Sequence, residues 1–332
     1  MAESLADRDV RTNEAERSEE TERPEGLEEP EGPEWPKWSA RLRRPGEIRS
    51  LWLGDTKVSY VPDGDVRLRP RELLLGSDDA VWAAHPEYLD ESGHLVASIG
   101  ALLVERGDRA LLIDAGFGPR RLPAAPDGPR GEIHGGALLD HLARLGRWPE
   151  DIEAVAFTHL HIDHIGWASH PLPGSGRPAF SAAEHLVSAP EWAQYAPSAG
   201  RGATEEIAAL APRLRTVTDG QEIFPGVRVR ITGGHTAGHA EYVITSGGRR
   251  LIAFGDALHS PIQADHPEWI SAFDDHDPAR AADHRRRLVA ELAAPGTIGF
   301  GVHFADVVFG RVRRDGDGPA WHPVDPSEPL DA

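Results

Sequence analysis

The sequence predicts an α/β domain in which strands and helices recur in both halves of the chain, an order that suits a sandwich with two similar halves. Two observations carry this prediction. Short apolar segments of strand length recur between glycine and proline turns. Two longer segments, at residues 136–145 and 277–293, carry helix signals instead.

The N-terminal segment differs in composition from the rest of the chain. Residues 1–40 contain 13 acidic and 5 basic residues and hardly any aliphatic ones. Such a segment cannot bury enough apolar surface to offset the entropy lost on ordering. We therefore expect a disordered acidic tail over residues 1–45 and a folded domain over residues 46–332. An acidic binding segment is the alternative. Residues 35–38, with two tryptophans, are a candidate for the point where the chain first docks on the domain.

The first half of the domain is predicted to contain four strands, over Val58–Val61, Ala97–Val104, Arg109–Ile113 and Ala154–Phe157. The second and third of these strands should form a hairpin, because only residues 106–108, with a central glycine, separate them. A helix is expected over Gly136–Leu145, since four leucines share one face and Gly146 follows as a stop signal.

The second half is predicted to contain five strands, over Val227–Ile231, Tyr242–Thr245, Leu251–Phe254, Thr297–Val302 and Val307–Arg313. A helix is expected from Asp277 to about Ala293, because aspartate caps a helix well and proline follows it at the first helical position. Several of these strands lead directly to polar motif residues.

Composition limits the chemistry of any site. The chain has 54 acidic and 35 basic residues and a formal net charge of -19, so no nucleic-acid partner is expected. It has no cysteine, which excludes disulfides, thiolate nucleophiles, cysteine-containing zinc sites and iron–sulfur clusters. Any metal must therefore bind nitrogen and oxygen. No apolar run approaches the roughly 20 residues that span a bilayer, and a secretory signal is not evident, so we expect a cytoplasmic protein with no membrane partner.

The strongest signal is the run Thr-His-Leu-His-Ile-Asp-His at residues 158–164, directly after a predicted strand. In an extended segment, alternation would place His159, His161 and Asp163 on one side, and a turn would bring His164 to the same cavity. Imidazole and carboxylate ligands suit zinc and similar divalent ions. A solvated histidine-rich loop is the alternative. The apolar residues that alternate with the ligands favour the metal site.

Three later segments extend this candidate site. His235 lies in Gly-Gly-His-Thr-Ala-Gly-His at residues 233–239, where glycines let the backbone approach a crowded centre. Asp256 and His303 each end a predicted strand, and the carboxylate could bridge two ions. A single histidine at a strand end is more often a surface or hydrogen-bonded residue. It is the shared placement at strand ends that favours one common site.

Taken in order, the HxHxDH run, the GHTxGH loop, the GD strand end and the final histidine resemble the metallo-β-lactamase superfamily over roughly residues 58–323. The resemblance implies a four-layer αβ/βα sandwich with two metals at the sheet edges. The ligands that it implies are His159, His161 and His235 for one metal, Asp163, His164 and His303 for the second, and Asp256 as the bridge. The expected cofactors are thus two divalent metal ions, with zinc as the expected metal.

The resemblance also implies supporting residues. Residues 113–116, Ile-Asp-Ala-Gly, are similar to an early IDTG-like motif of the family, whose aspartate, here Asp114, supports the site without binding metal. His239, the second histidine of GHTxGH, is expected to orient ligands and not to bind a metal itself. The oligomeric state is left open, with a homodimer among the alternatives.

A narrower resemblance begins at the bridging aspartate. The segments that carry it are residues 255–259, Gln263, Pro267, residues 273–281 and the arginines 285–287. They are similar to the branch that contains methyl parathion hydrolases and N-acyl homoserine lactonase-like enzymes. Many lactonases have a tyrosine three residues after the bridging aspartate, and here that position is His259. Two interpretations stay open: His259 assists catalysis, or it packs at the cavity wall.

The expected activity is hydrolysis of a small molecule. Two divalent ions about 3.5–4 Å apart hold a water between them and lower its pKa toward neutrality, so a metal-bridging hydroxide is the expected nucleophile. Asp163 is expected to pass a proton to the leaving group. An ester or lactone carbonyl is the first expectation, with organophosphate triesters and thioesters as alternatives. A non-catalytic metal-binding interaction module is the alternative from another class, and the intact ligand set argues against it.

Overall fold

The computed structural model describes residues 38–172, 174–195, 204–273, 276–315 and 318–324. The strands, numbered in chain order, are β1 (Arg49–Leu53), β2 (Thr56–Leu68), β3 (Leu74–Leu75), β4 (Leu95–Arg106), β5 (Arg109–Ile113), β6 (Arg121–Leu122), β7 (Arg130–His134), β8 (Ala154–Ala156), β9 (Glu184–Ser188), β10 (Leu214–Val217), β11 (Glu222–Phe224), β12 (Val227–Ile231), β13 (Ala240–Ser246), β14 (Arg249–Ala253), β15 (Ile270–Ser271), β16 (Thr297–Phe300), β17 (Phe309–Asp315) and β18 (Gly318–Pro323). The α-helices are α1 (Pro70–Leu73), α2 (Asp79–Ala84), α3 (Leu138–Arg144), α4 (Ile162–Ser169), α5 (Ala189–Ala193), α6 (Glu205–Leu210) and α7 (Pro278–Leu292).

The strands form two large sheets. The first has the order β10-β9-β8-β5-β4-β2-β7-β6, and β1 pairs with β2 beside this path. Its strands β4 and β5 form the predicted hairpin, with Arg106 opposite Arg109. The second sheet has the order β11-β12-β13-β14-β16-β17-β18. A further two-stranded sheet pairs β3 with β15.

Alternation along the strands buries both faces of each sheet. In β5, Leu111 and Ile113 belong to the apolar cluster between the two large sheets, whereas Leu112 points the other way, to a cluster that includes α3, α4 and α6. In β14, Leu251 faces the space between the sheets, and Ile252 faces a cluster that includes α7. The layers are therefore helix, sheet, sheet and helix, which confirms the expected αβ/βα sandwich.

Helix α7 illustrates how local sequence signals set this arrangement. The side chain of Asp277 accepts a hydrogen bond from the backbone N–H of Arg280 at 3.0 Å, and Pro278 occupies the first helical position, as predicted. Leu288 and Leu292 pack on the outer face of the second sheet. The helix connects β14 to β16, which run parallel, so it serves as the crossover between neighbouring strands.

The predicted boundary between tail and domain needs correction. Residues 39–43 form a 3₁₀ helix, and the side chain of Leu42 is 2% exposed and belongs to the core. Arg41 and Arg44 both bind the buried carboxylate of Asp306. Residues 38–45 therefore belong to the domain, because apolar burial and ion pairing act there. Residues 1–37 lie outside the described residues, and a disordered acidic tail over them stays a prediction.

Among the residues that the structure describes, none of the helices combines the length and the apolar character needed to span a bilayer.

Candidate metal centre

Four strand ends deliver polar residues to one edge of the two sheets. In the first sheet, β5 leads to Asp114 and its parallel neighbour β8 leads to His159. In the second sheet, β14 leads to Asp256 and its parallel neighbour β16 leads to His303. Carboxyl ends of parallel neighbours lie at the same edge of a sheet, which is the usual place for a site in such folds. This is why residues so distant in sequence meet.

The expectation that residues 159–163 form one extended segment is wrong. The chain is extended only as far as His161, which has φ -71° and ψ 155° and directly precedes α4. Asp163 and His164 lie in the first turn of that helix. With 3.6 residues per turn, the helix presents neighbouring residues in quite different directions, and this replaces the predicted strand alternation and terminal turn. The four side chains still converge on one place.

The first group of possible ligands consists of three imidazoles and a carboxylate. His159, His161, His235 and Asp256 each offer one ligand atom, and these four atoms lie within 4.8 Å of one another. Nε2 of His235 is 3.3 Å from Nε2 of His159 and 3.1 Å from Nδ1 of His161. Imidazole nitrogens this close to one another are spaced as the ligands of a single cation would be.

The second group consists of Asp163, His164 and His303, whose ligand atoms also lie within 4.8 Å of one another. Oδ2 of Asp163 is 3.8 Å from Nε2 of His164 and 3.7 Å from Nε2 of His303. The two histidines are buried, whereas Asp163 is partly exposed. This group therefore offers two imidazoles and a carboxylate.

Asp256 lies between the two groups with one oxygen toward each. Its Oδ1 is 3.2 Å from Nε2 of His164 and 3.1 Å from Nε2 of His303. Its Oδ2 is 3.4 Å from Nε2 of His235 and 3.8 Å from Nε2 of His159. All seven residues that the sequence singled out are thus brought together.

The buried polar atoms of this site fit a bound cation. Nε2 of His164 and Oδ1 of Asp256 are both buried, and although they lie 3.2 Å apart, neither has a hydrogen bond of good geometry within the described part of the chain. Such atoms are costly to leave unsatisfied, and a metal ion would satisfy both. The donors are nitrogen and oxygen atoms only, which suits zinc and similar divalent ions.

The electrostatics agree with that fit. Burial, reinforced by neighbouring imidazoles, lowers the pKa of His159 well below its usual value and that of His161 to about 4. Both rings are therefore neutral at pH 7, the form that binds metal. Burial would also lower the pKa of His164, but the carboxylates of Asp256 and Asp114 outweigh it and raise that pKa well above the usual value. A positive charge near the carboxylates of Asp256 and Asp114 is therefore favourable, and a divalent cation would supply it.

Two supporting residues stand behind the possible ligands, where the resemblance implied them. Asp114 lies 2.9 Å from Nδ1 of His164 and also accepts a hydrogen bond from the backbone N–H of Thr158. His239 accepts a hydrogen bond from the backbone N–H of Asp256 at 3.1 Å through Nε2, and its Nδ1 lies 2.9 Å from Oγ1 of Thr232. Each of them fixes the orientation of a group that faces the centre.

His259 lies at the centre itself. Its Nε2 is 3.4 Å from Oδ2 of Asp256, and its ring stacks on that of His303 with an interplanar angle of 7°. The side chain of Gln263 accepts a hydrogen bond from its backbone N–H at 2.7 Å. His259 also lines the cavity described next, a position that fits either interpretation, assistance to catalysis or packing at the cavity wall.

A cavity of about 420 Å³ opens from this centre. Its polar end is formed by His161, Asp163, Asp256, His259 and His303. Its walls are mostly apolar and come from elements far apart in sequence: Val66, Leu68, Ile133, Leu160, Ile162, Ile207, Ala272 and Phe273. Arg130, Tyr195 and Thr204 also line it. Sequence reasoning missed these residues, because no local pattern connects β2, β7 and α6.

Comparison with known proteins places the chain among proteins of one fold. A family model described as the metallo-beta-lactamase superfamily matches residues 96–298. The hydrolase AbOPH, described as in the beta lactamase superfamily, is 26% identical, with a TM-score of 0.70 over 84% of this chain and 98% of that chain. AidC, described as a dizinc quorum-quenching lactonase in complex with a product, is 20% identical, with a TM-score of 0.70 over 85% of this chain and 99% of that chain. A probable metal-dependent hydrolase from Staphylococcus aureus is 22% identical, with a TM-score of 0.69 over 82% of this chain and 98% of that chain.

Proposed function

The chain belongs to the metallo-beta-lactamase superfamily and is a metal-dependent hydrolase, and we propose that it cleaves an ester or lactone at a centre of two divalent metal ions. The observation that carries this proposal is the placement of Asp256. Its two oxygens face two different groups of ligands, at 3.1 and 3.2 Å on one side and at 3.4 and 3.8 Å on the other. A carboxylate in that position could serve two cations, whereas a single cation would leave one group without a role.

In this proposal His159, His161 and His235 would hold one cation, Asp163, His164 and His303 would hold the other, and Asp256 would be shared. Zinc is the proposed metal, because imidazole and carboxylate ligands without cysteine suit it. When bound, such cations would supply electrostatic stabilisation of the carbonyl oxygen and activation of water as the nucleophile near neutral pH.

Asp163 is the proposed carrier of the proton that the leaving group needs. Its side chain is 21% exposed and lines the cavity, so it can exchange a proton with a molecule bound there. Burial alone would raise the pKa of Asp163, but His164 and His303 outweigh it and lower that pKa. The group is therefore a carboxylate at neutral pH, the form that can accept a proton and pass it on.

His259 is the proposed contact to the substrate oxygen. It lies beside Asp256 at the polar end of the cavity, and the hydrogen bond between its backbone and Gln263 fixes the strand exit that carries it. An imidazole there can donate a hydrogen bond to a carbonyl oxygen or to a departing alkoxide, on which negative charge develops.

The walls of the cavity support a small substrate with an apolar part. Ile133, Ile207 and Phe273 are typical of these walls, and apolar pockets with a few polar groups at one end are the usual small-molecule sites. Another protein of this fold accommodates such a ligand, since AidC was solved in complex with N-hexanoyl-homoserine. Arg130 donates hydrogen bonds to the backbone carbonyls of Pro123 and Gly131 and offers a cationic rim.

The test combines metal content with a substrate panel. The purified chain, after reconstitution with zinc, is expected to hold close to two ions and to hydrolyse an acyl homoserine lactone or an aryl ester with a higher kcat/KM than a thioester or an aryl phosphotriester. One ion or fewer, with full activity, would overturn the dinuclear centre. A clear preference for the phosphotriester would move the substrate class, and no turnover of any ester by the two-metal form would favour a non-catalytic module.

A further inference from the structure

One buried carboxylate outside the proposed ligand set lies against the loop that carries two of the ligands. Glu191, in the first turn of α5, is 0% exposed. Its Oε1 accepts a hydrogen bond from the backbone N–H of Leu160 at 3.1 Å. Leu160 separates His159 from His161, so this bond holds the segment from which two imidazoles of the first group project. We call residues 158–161 the first ligand loop.

The same carboxylate also holds the loop that carries the third imidazole. We call residues 233–239 the second ligand loop. Oε2 of Glu191 accepts hydrogen bonds from Oγ1 of Thr236 at 2.6 Å and from the backbone N–H of Gly238 at 3.1 Å. Thr236 directly follows His235 in sequence. Glu191 thus joins the two ligand loops through one carboxylate group, with one oxygen toward each loop.

The approach between α5 and the second ligand loop is close enough to require glycine. A Cβ atom at position 238 would lie 1.9 Å from the backbone nitrogen of Glu191 and 2.5 Å from Oγ of Ser188. Ser188 is the N-cap of α5 and donates a hydrogen bond to the carbonyl oxygen of Gly238. Gly238 therefore has a physical reason in this chain, which is to let the helix start reach the loop.

The hydrogen bonds suit an ionised carboxylate. Both oxygens of Glu191 accept, and the donors are Leu160, Thr236, Gly238 and Nε2 of Gln194. A carboxylate accepts only, so it matches four donors without conflict. Bonds of this charge-assisted kind are shorter and stronger than neutral ones.

We propose that Glu191 is a positioning residue that holds the three imidazoles of His159, His161 and His235 in place for one of the two cations. The proposal rests on the function proposed above. Within the described residues, the hydrogen bonds of Glu191 reach the two ligand loops and its own helix, and none reaches Asp163, His164 or His303. The second group has other supports, namely Asp114 at His164 and the carbonyl of Ser98 at His303. Loss of Glu191 should therefore affect the two cations unequally.

The first variant is Glu191→Gln, which keeps the size of the side chain. The amide nitrogen of glutamine donates hydrogen bonds and does not accept them, and it must face at least one of the N–H donors of the ligand loops. The hydrogen bonding to one of the two ligand loops is therefore disrupted without leaving a cavity. The full-length metal-free protein is titrated with Co²⁺, whose visible spectrum reports the geometry of its ligands. Substitution of a residue that hydrogen-bonds the groups behind metal ligands weakens metal binding about 10–100-fold. We expect a loss of that size for one cobalt ion, while the affinity for the other stays within about threefold.

A second variant and a matched control separate positioning from general stability. Thr236→Val removes one of the two hydrogen bonds that join Glu191 to the second ligand loop and leaves the bond from Gly238. It should weaken the binding of the same cobalt ion, with a less than additive effect in the double variant, because both changes act on the same link. Asp63→Asn is the control. Asp63 is also a buried carboxylate, and it accepts hydrogen bonds from the backbone of Phe117 and Leu138 and from other donors outside the two ligand loops. The Asp63→Asn variant should have a lower unfolding temperature but keep both cobalt affinities within about twofold.

The outcomes separate this inference from the proposed function. Equal loss of both cobalt ions in Glu191→Gln, or unchanged affinities with only a lower unfolding temperature, would show a merely structural role and overturn it. If the unaltered chain binds a single ion, the dinuclear centre fails, but the effect of Glu191→Gln on that ion still decides the positioning role. If Glu191→Gln does not fold, Thr236→Val decides it by the same measurement.

Discussion

The contacts of residues 38–45 predict that two N-terminal truncations of similar length have very different effects. Deletion of residues 1–37 removes most of the acidic segment, whose composition offers little apolar surface to bury. Deletion of residues 1–45 also removes Leu42 and two of the arginines that bind Asp306. The first deletion should leave the free energy of unfolding nearly unchanged, and the second should lower it.

The size of that loss follows from the burial of these residues. Leu42 is 2% exposed, and full burial of a leucine contributes about 1.5–3 kcal/mol. The carboxylate of Asp306 is 0% exposed, so each lost partner matters, although Arg49 and the backbone N–H of Glu47 would remain. Arg44 is about half exposed, and its ion pair is therefore given little weight. Together these losses suggest about 2–5 kcal/mol, which corresponds to roughly 5–15 °C in unfolding temperature for a domain of this size.

The assay is thermal unfolding followed by circular dichroism, at one fixed concentration of free metal, since bound metal stabilises the folded state by mass action. The full chain with Leu42→Ala provides a point-variant control for the apolar share of the loss. An equal unfolding temperature for both truncations would refute the stabilising role of residues 38–45. A drop of many degrees already on deletion of residues 1–37 would show that the acidic segment itself docks on the domain.

The remaining predictions concern the centre and one buried histidine. Asp256→Ala should lose affinity for at least one ion and nearly all turnover, because it removes the anion shared by two cations, and elemental analysis beside kcat checks it; two retained ions would contradict it. His259→Ala should keep both metals and lower kcat about ten- to a thousand-fold. His259→Tyr should recover lactone turnover more than phosphotriester turnover. Lost metal or unchanged kcat in His259→Ala would contradict the proposed contact between His259 and the substrate. Burial, with the charge of Arg213, lowers the pKa of His185 to about 4, so the unfolded chain binds this proton first as the pH falls from about 6.5 to 4. The free energy of unfolding that this neutral histidine contributes above pH 6.5 is therefore lost across that interval, by up to about 3 kcal/mol. Urea unfolding at pH 7 and pH 4.5 should show a correspondingly smaller decrease in the free energy of unfolding for His185→Leu. Identical pH dependence in both proteins would contradict the lowered pKa of His185.

Local patterns were sufficient wherever one segment carries its own signal. The bounds of β5 and β12 agree with the prediction to the residue, and the hairpin of β4 and β5 was recognised from Gly107 between two apolar runs. Period-two alternation and turn chemistry are properties of neighbouring residues, so a sequence displays them directly. Helix α4 was missed because it lacks such a local signal: residues 162–169 mix motif residues with Gly166 and give no clear helical period.

The linear motifs and the family resemblance that they carry were enough to predict the fold class and the seven residues that meet at the centre, because ligand chemistry requires these residue types in that order. Tertiary packing determines how these residues meet: Asp163 and His164 arrive from a helical turn, and Asp256 points one oxygen toward each group. It also decided the cavity walls and the position of Glu191 between the ligand loops. Contacts of this kind join residues that are far apart along the chain, and their directions are set by how the sheets and helices pack, which no local pattern records.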